Sequence, residues 1–445
     1  MPEIKEHPSD PENTKADFIQ TAIWHGSLAV ADSLLASQPE LASLDIFTAS
    51  ILGNARLVRD FLSADPSNAT ITAAPYGGNA LVYLCMSKYL RLKKEKSDDF
   101  LDAAKALLDA GADPNSGFWT TGSNPEFETA LYGAAGIAHH EGLTKLLLEY
   151  GADPNDGEAV YHSPETHENA AMIALVETGK VSAEYLVLML IRKHDWHDYD
   201  GVKYLLGYGV DPNERWAATS PFHHALMRNN HIDIISLLLD HGASSSIICN
   251  DLTVEARAAR EGRSDVLAEL RERGIPDALQ GVDKLIEACA IGNNGLAKNI
   301  LQRDPQLLDE MIAMGGNLLA KFSGTGNLEG VRQLLEVGIQ VDAPLREGDG
   351  YFGIPKGSLA IHVAAWRGRH QTVQLLVDRG SPIDQPDQNG RTPLQLAVKA
   401  CVDSYWMDRR SPESVAILLK AGAEPHSISL PTGYELLDEE IRKYY

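Results

Sequence analysis

The stretch Leu107 to Asn115, LLDAGADPN, returns along the chain as LLEYGADPN (Leu147 to Asn155), LLGYGVDPN (Leu205 to Asn213), LLDHGASSS (Leu238 to Ser246), LLEVGIQVD (Leu334 to Asp342), LVDRGSPID (Leu376 to Asp384) and LLKAGAEPH (Leu418 to His426). Each copy reads as the last turn of an apolar helix. A glycine then takes the position just past it, where a left-handed backbone costs glycine nothing. Upstream of two copies lies a helix start, SPFHHAL (Ser220 to Leu226) and TPLQLAV (Thr392 to Val398), with a capping hydroxyl and proline at the first helical position. TALYGAA (Thr129 to Ala135) and LAIHVAA (Leu359 to Ala365) are degenerate versions. The repeated element is thus a short alanine-rich helix, a bend, a longer leucine-rich helix and a turn.

These residues resemble the ankyrin repeat, whose T-P-L-H-x-A-A start and G-A-x-x-N/D end bracket two antiparallel helices joined to the next pair by a β-turn finger. The resemblance runs over about residues 16 to 425 and implies an all-α solenoid, an ankyrin-repeat superhelix. The glycines Gly111, Gly151, Gly209, Gly242, Gly274, Gly338, Gly380 and Gly422 are spaced 40, 58, 33, 32, 64, 42 and 42 residues apart. Only two gaps match the family period of about 33. The gap of 64 holds two units, because NILQRDPQLL (Asn299 to Leu308) is an outer helix that lacks its glycine.

The expected organisation is a disordered segment 1–15, a first array of about seven units over 16–277, a second of about four over 282–425, and a C-terminal cap 426–445. The second array is placed by the likeness of EACAIGNNGLAKNILQRDPQLL (Glu287 to Leu308) to TAIWHGSLAVADSLLASQPEL (Thr21 to Leu41), which implies a break near 278–283. The longer gaps locate insertions at 86–102, 115–129, 156–182, 191–201, 343–358 and 400–414, and the one at 156–182 is expected to carry a short helix of its own. Loops on a rigid scaffold are where function concentrates, although long surface insertions also cost little stability.

Charge narrows the partners. The 445 residues carry a formal net charge of −23. That excludes nucleic acid as a natural partner, since the single basic run RLKKEK (Arg91 to Lys96) is no phosphate-binding surface. No segment has the length and apolarity of a membrane span, and the N-terminus lacks a signal-peptide core. Cys85, Cys249, Cys289 and Cys401 are widely separated without a C-x-x-C spacing, which suits buried free thiols in the cytoplasm.

No coherent catalytic motif occurs, and neither cofactor nor metal is expected. GDGYFG (Gly348 to Gly353) has the spacing of a dinucleotide loop but sits in a finger, without a preceding strand and following helix. HDWHDYD (His194 to Asp200) has metal-ligand residue types, yet reads as an exposed acidic bend. His223 and His362 fall on the family's histidine position, which the resemblance assigns to hydrogen bonds with a neighbouring finger.

The candidate binding residues lie near the C-terminus. Trp366 and Arg367 fall at the variable concave sites the family uses for contacts, and an exposed pair there would be a hot spot. One unit later the inner helix is expected to run on through Cys401, Asp403, Tyr405 and Trp406, with the outer helix recapped at Ser411. Trp366, Arg367, Arg369 and His370 would then face Tyr405, Trp406, Arg409 and Arg410 as a cationic, aromatic patch. The bland reading has the aromatics pack the bend while the arginines pair with Asp403 and Asp408. The expected function is a non-catalytic scaffold that binds a protein partner along its concave groove. The alternative is a groove closed by insertions into a pocket that binds or transforms a small anionic or sugar-like ligand, with Asp403, His362 and His370 as acid and base candidates.

Overall fold

A computed structural model describes residues 11–404 and 409–445. They form two compact units, 1–217 and 218–445. Each is a stack of antiparallel helix pairs, and fingers such as 117–119/127–129 and 248–249/252–253 are two-stranded antiparallel hairpins.

One layer shows how the residues specify the pair. Ser220 caps the inner helix Pro221–Met227, with Pro221 at its first position, and all but the last residue of that helix are buried. Asn229 turns the chain at φ 54°. The outer helix Ile232–Asp240 buries Ile234, Ile235, Leu237 and Leu238 against its neighbours, each such side chain contributing about 1.5–3 kcal/mol. Its end is closed by Gly242 at φ 83°, where the amide of Ala243 returns to the carbonyl of Leu238 at 3.0 Å. A Cβ at that φ would be strained, hence the recurring glycine.

The Asn and His of the motif tie layers together. Asn115 Nδ2 donates to the carbonyl of Gly151 at 3.1 Å and its Oδ1 accepts from the amide of Asp153 at 2.8 Å. Asn155 makes the same pair of bonds with the carbonyl of Lys180 and the amide of Ser182. The segment 156–182, expected to hold one short helix, is therefore a whole layer. Helix Gly157–His162 packs among the inner helices and Ala170–Val176 against the outer helix Glu141–Glu149. His223 and His362 reach the next finger through Nε2, to the carbonyls of Leu252 (3.0 Å) and Gln385 (2.8 Å).

Other expectations change. Residues 11–15 belong to the helix Pro11–Ala22 rather than a disordered segment, while residues 1–10 lie outside the described residues. The segment 278–283 lies within the second unit, where Val254–Arg260 and Gly281–Ala290 pack side by side and Arg271 pairs with both Glu255 and Glu287. HDWHDYD is exposed only in part: Trp196, Tyr199 and Asp200 face water while His194 and Asp198 do not. Lys193 and His194 are fully buried, Asp198 nearly so, and Lys193 Nζ donates to Asp198 at 2.7 Å.

Candidate functional site

The inner helix Ala360–Trp366 and the long finger 343–358 line a recess of the second unit. The finger closes as a tight hairpin, with Asp349 and Ile354 exchanging backbone hydrogen bonds at 2.7 and 2.9 Å and Gly348 and Gly353 at positive φ. GDGYFG is thus a finger turn. Its apolar residues point inward, so that Leu345, Phe352 and Ile354 join Ala320, Val363, Trp366, Leu396 and Ala400 in one core. The finger also runs close to helix Gly315–Thr325. A Cβ on Gly316 would lie 2.0 Å from the carbonyl oxygen of Pro344.

This geometry corrects the expectation of an exposed Trp366–Arg367 pair. Trp366 is 7% exposed, and its Nε1–H donates to the carbonyl of Phe352 at 2.7 Å. Arg367 is 5% exposed with its guanidinium 4.0 Å from the ring centre of Phe352. Burial, with Arg369 and Arg409 nearby, pulls its pKa down to about 9. Both residues anchor the finger from beneath.

The remaining C-terminal candidates are only partly gathered. The inner helix Pro393–Val402 is longer than its neighbour Ala360–Trp366 but stops before Asp403, which is exposed and out of helical geometry (φ −151°). Tyr405 and Trp406 lie outside the described residues. Arg409 Nη1 donates to the carbonyl of Arg367 at 3.1 Å, and His370 Nδ1 lies 2.6 Å from Ser414 Oγ. With Cys401 and Ser411 these two side chains bound a small cleft. Arg410 turns away to stack on Tyr434 at 3.7 Å. The outer helix begins at Glu413, one residue later than expected, although Ser411 Oγ still accepts from its amide at 3.2 Å. His362 is fully buried, with Nδ1 accepting from the amide of Leu359 and Nε2 bonded to Gln385, so both ring nitrogens are engaged. Burial lowers its pKa and keeps it neutral.

Sequence reasoning missed two groups. The first is a cleft of about 480 Å³, counting its open mouth, between the finger and the inner helices. Arg367, Lys321, Asp349 and Glu261 line it among apolar walls. Lys321 Nζ pairs with Glu261 at 2.5 Å, and burial raises the pKa of Asp349. The signal available was the finger's length with the Phe352-x-Ile354 alternation. The second group, in the first unit, centres on Glu128. It is 2% exposed with no hydrogen-bond partner on Oε2, and burial with Glu158 and Glu126 nearby pushes its pKa up to about 7. His162 stands near it, held by Glu165 at 2.8 Å and Glu158 at 3.3 Å.

A trio with metal-ligand spacing, Glu255, Asp277 and Glu287, is already occupied by cations. Arg271 pairs with all three and Lys284 with Asp277 and Glu287. It is an ion-pair network that closes the joint between two layers.

A family model described as ankyrin repeats (3 copies) matches residues 188–278 and 345–429. Among curated proteins, the chain is 31% identical over 159 residues to Protein glp-1 of Caenorhabditis elegans, covering 33% of this chain and 12% of that protein. It is 36% identical over 84 residues to Serine/threonine-protein kinase 12 of Arabidopsis thaliana, covering 19% and 16%. The chain thus spans less than a fifth of the length of either relative. The human ASB11 ankyrin repeat domain is similar at 21% identity and a TM-score of 0.23, over 53% of this chain and 98% of that one. The matched segments, the recurring helix pairs and the finger-binding histidines agree: the chain carries ankyrin repeats over residues 188–278 and 345–429.

Proposed function

We propose that this chain is a non-catalytic scaffold that holds a protein partner against its fingers and inner helices. The observation that carries the reading is the finger 117–129. Trp119 and Phe127 are paired across its two strands, their rings 5.1 Å apart, and they are 62% and 38% exposed. An aromatic pair held outward on a rigid hairpin offers large contact area at little entropic cost, as interface anchors do. Burying such rings against a partner is worth several times what their contact with each other gives. His223 and His362, with both ring nitrogens committed to structure, support a role without catalysis. Four free, buried cysteines support a reducing compartment, the cytoplasm. Among the described residues no helix is long and apolar enough to cross a membrane.

The test is affinity capture with the full chain beside Trp119→Ala and a Trp119→Ala/Phe127→Ser double variant. We expect the wild type to retain a protein that both variants lose, while their unfolding free energies stay within about 0.5 kcal/mol of wild type, as for surface changes. Equal retention by all three would refute the placement of the partner on this finger.

A further inference from the structure

The finger 117–129 has a second face. Where Trp119 and Phe127 look outward, Phe118 and Glu128 pair on the inner side and are 3% and 2% exposed. Oε2 of Glu128 is buried and has no hydrogen-bond partner. The backbone around it is fixed. Thr129, the next residue, accepts from the amide of Tyr132 at 2.9 Å and donates through Oγ1 to Asp156 at 2.6 Å. Asp156 in turn caps helix Gly157–His162, accepting from the amide of Ala159 at 2.7 Å. These bonds hold that helix, with Glu158 in its first turn, against the strand that carries Glu128.

The charges that act on Glu128 are mostly negative. Glu126 comes from its own hairpin, Asp156 from the following turn and Glu158 from helix Gly157–His162, which also carries His162, the basic group among them. Tyr132 faces it from the inner helix. His162 is taken up by Glu165 at 2.8 Å and Glu158 at 3.3 Å, and Arg192 by Glu165 and Asp195. Among the described residues no lysine or arginine pairs with Glu126, Glu128 or Glu158. Glu126 is exposed and Glu158 partly so, and the acids thus run from the surface to the buried carboxyl. A buried carboxylate without a partner is costly, and a cation that brings hydrogen-bond donors relieves that cost. Basic side chains offer this charge on a long apolar stem, which suits an entry between partly buried groups.

We propose that the acids behind this finger receive a lysine or arginine side chain of the protein partner, with Glu128 as its buried counter-ion and Glu158 and Glu126 at the mouth. The proposal rests on the reading that a protein docks at this finger, and a chain of net charge −23 is complementary to a basic partner segment.

The full chain is titrated by calorimetry with N-acetylarginine amide and its neutral isostere N-acetylcitrulline amide, at pH 8 and at pH 6. At pH 8 the arginine amide should bind about tenfold or more tightly, the margin of a charge-assisted over a neutral hydrogen bond. Its affinity should fall about tenfold at pH 6. Burial, then Glu158 and Glu126, push the pKa of Glu128 up to about 7, so only about a tenth of this carboxyl is ionised there. Other groups titrate nearby: burial raises the pKa values of Glu158 and Asp156, and Glu165 and Glu158 raise that of His162 against the effect of its burial. Glu128→Gln, which has the shape of the protonated carboxyl and leaves those groups in place, assigns the effect and should bind the two amides alike. Glu158→Gln at the mouth should weaken the arginine amide about two- to fivefold at pH 8. Equal binding of the two amides, a preference that does not change with pH, an undiminished preference in Glu128→Gln, or no binding of either amide up to its solubility would each overturn the proposal. The partner reading fails separately, in the capture experiment with Trp119→Ala, a change that should leave the amide titration as it is.

Discussion

Trp366→Phe separates a buried anchor from an exposed contact residue. The indole Nε1–H is the donor to the carbonyl of Phe352 at 2.7 Å, and the ring fills the core formed by Leu345, Phe352, Ile354, Val363 and Leu396. Phenylalanine keeps most of the apolar surface but offers no donor. The carbonyl of Phe352 then loses the indole's hydrogen bond in a closed environment, at about 1–3 kcal/mol. Trimming indole to phenyl leaves a small void that adds about 1 kcal/mol, toward the low end of large-to-small core changes. The sum, about 2–4 kcal/mol, is a large fraction of a domain's net stability. Urea unfolding followed by circular dichroism should show the second unit's transition at lower urea with its slope preserved. Amide exchange over residues 349–357 should accelerate, because the indole holds the finger from below. An unmoved transition with unchanged finger exchange would refute the buried placement and restore Trp366 as a surface contact.

Glu128→Gln tests the buried carboxyl of the first unit. Its folded pKa of about 7, raised first by burial and then by Glu158 and Glu126, lies above the ordinary glutamate value, so the folded state holds a proton that the unfolded state has released between about pH 4.5 and 7. Stability is therefore lost as pH rises through that window, and the variant should match wild type near pH 4.5 yet exceed it by about 1–3 kcal/mol at pH 8. A difference in chemical-denaturation free energy that does not grow with pH would sink this reading. Asp198→Asn should destabilise the first unit by about 3–5 kcal/mol, because Lys193 Nζ, fully buried, would be left with the carbonyl of Thr166 and no anion. Adding Lys193→Met should recover most of that loss in the same urea experiment, and a double variant no better than the single one would argue against the pair.

How much of this was legible follows from the range of the interactions. The helix pairs were readable because periodicity and the closing glycines act within one turn, as at Leu238 to Gly242. The layer 156–182 was underestimated because its turn, Thr178-Gly179-Lys180, lacks the Asp-Pro-Asn string, although Asn155 ties to it just as Asn115 ties to the next. Trp366 was misplaced for a different reason. At its position a unit with a short finger exposes the side chain, whereas here an insertion returns over it, and which way a loop folds is a tertiary property. The burial of Lys193 and Asp198 was hidden likewise, since charged residues in a bend read as solvated until the Thr166 carbonyl and Asn169 side chain come to meet them. Arg367 was singled out, but as a surface residue. Its place on a cleft could not be read without knowing where Phe352 and Asp349 lie.

The two best-formed insertions differ in what their strand alternation places inside. In finger 343–358, Phe352 and Ile354 face the core and the glycine between them makes the turn, so the insertion is stabilised by its own burial. In finger 117–129 one register position pairs Phe118 with Glu128 and the next pairs Trp119 with Phe127. Phe118 and Glu128 are buried while Trp119 and Phe127 face water, so the second strand has its acid inside and its phenyl outside. Exchanging the two residues would satisfy both faces, and a sequence shaped for stability alone would carry that exchange. Keeping a carboxyl buried at about pKa 7 and two rings exposed costs the free scaffold on both faces. A protein partner that covers the rings would offset that cost, and for this reason the proposed partner is placed on the outer face of this hairpin.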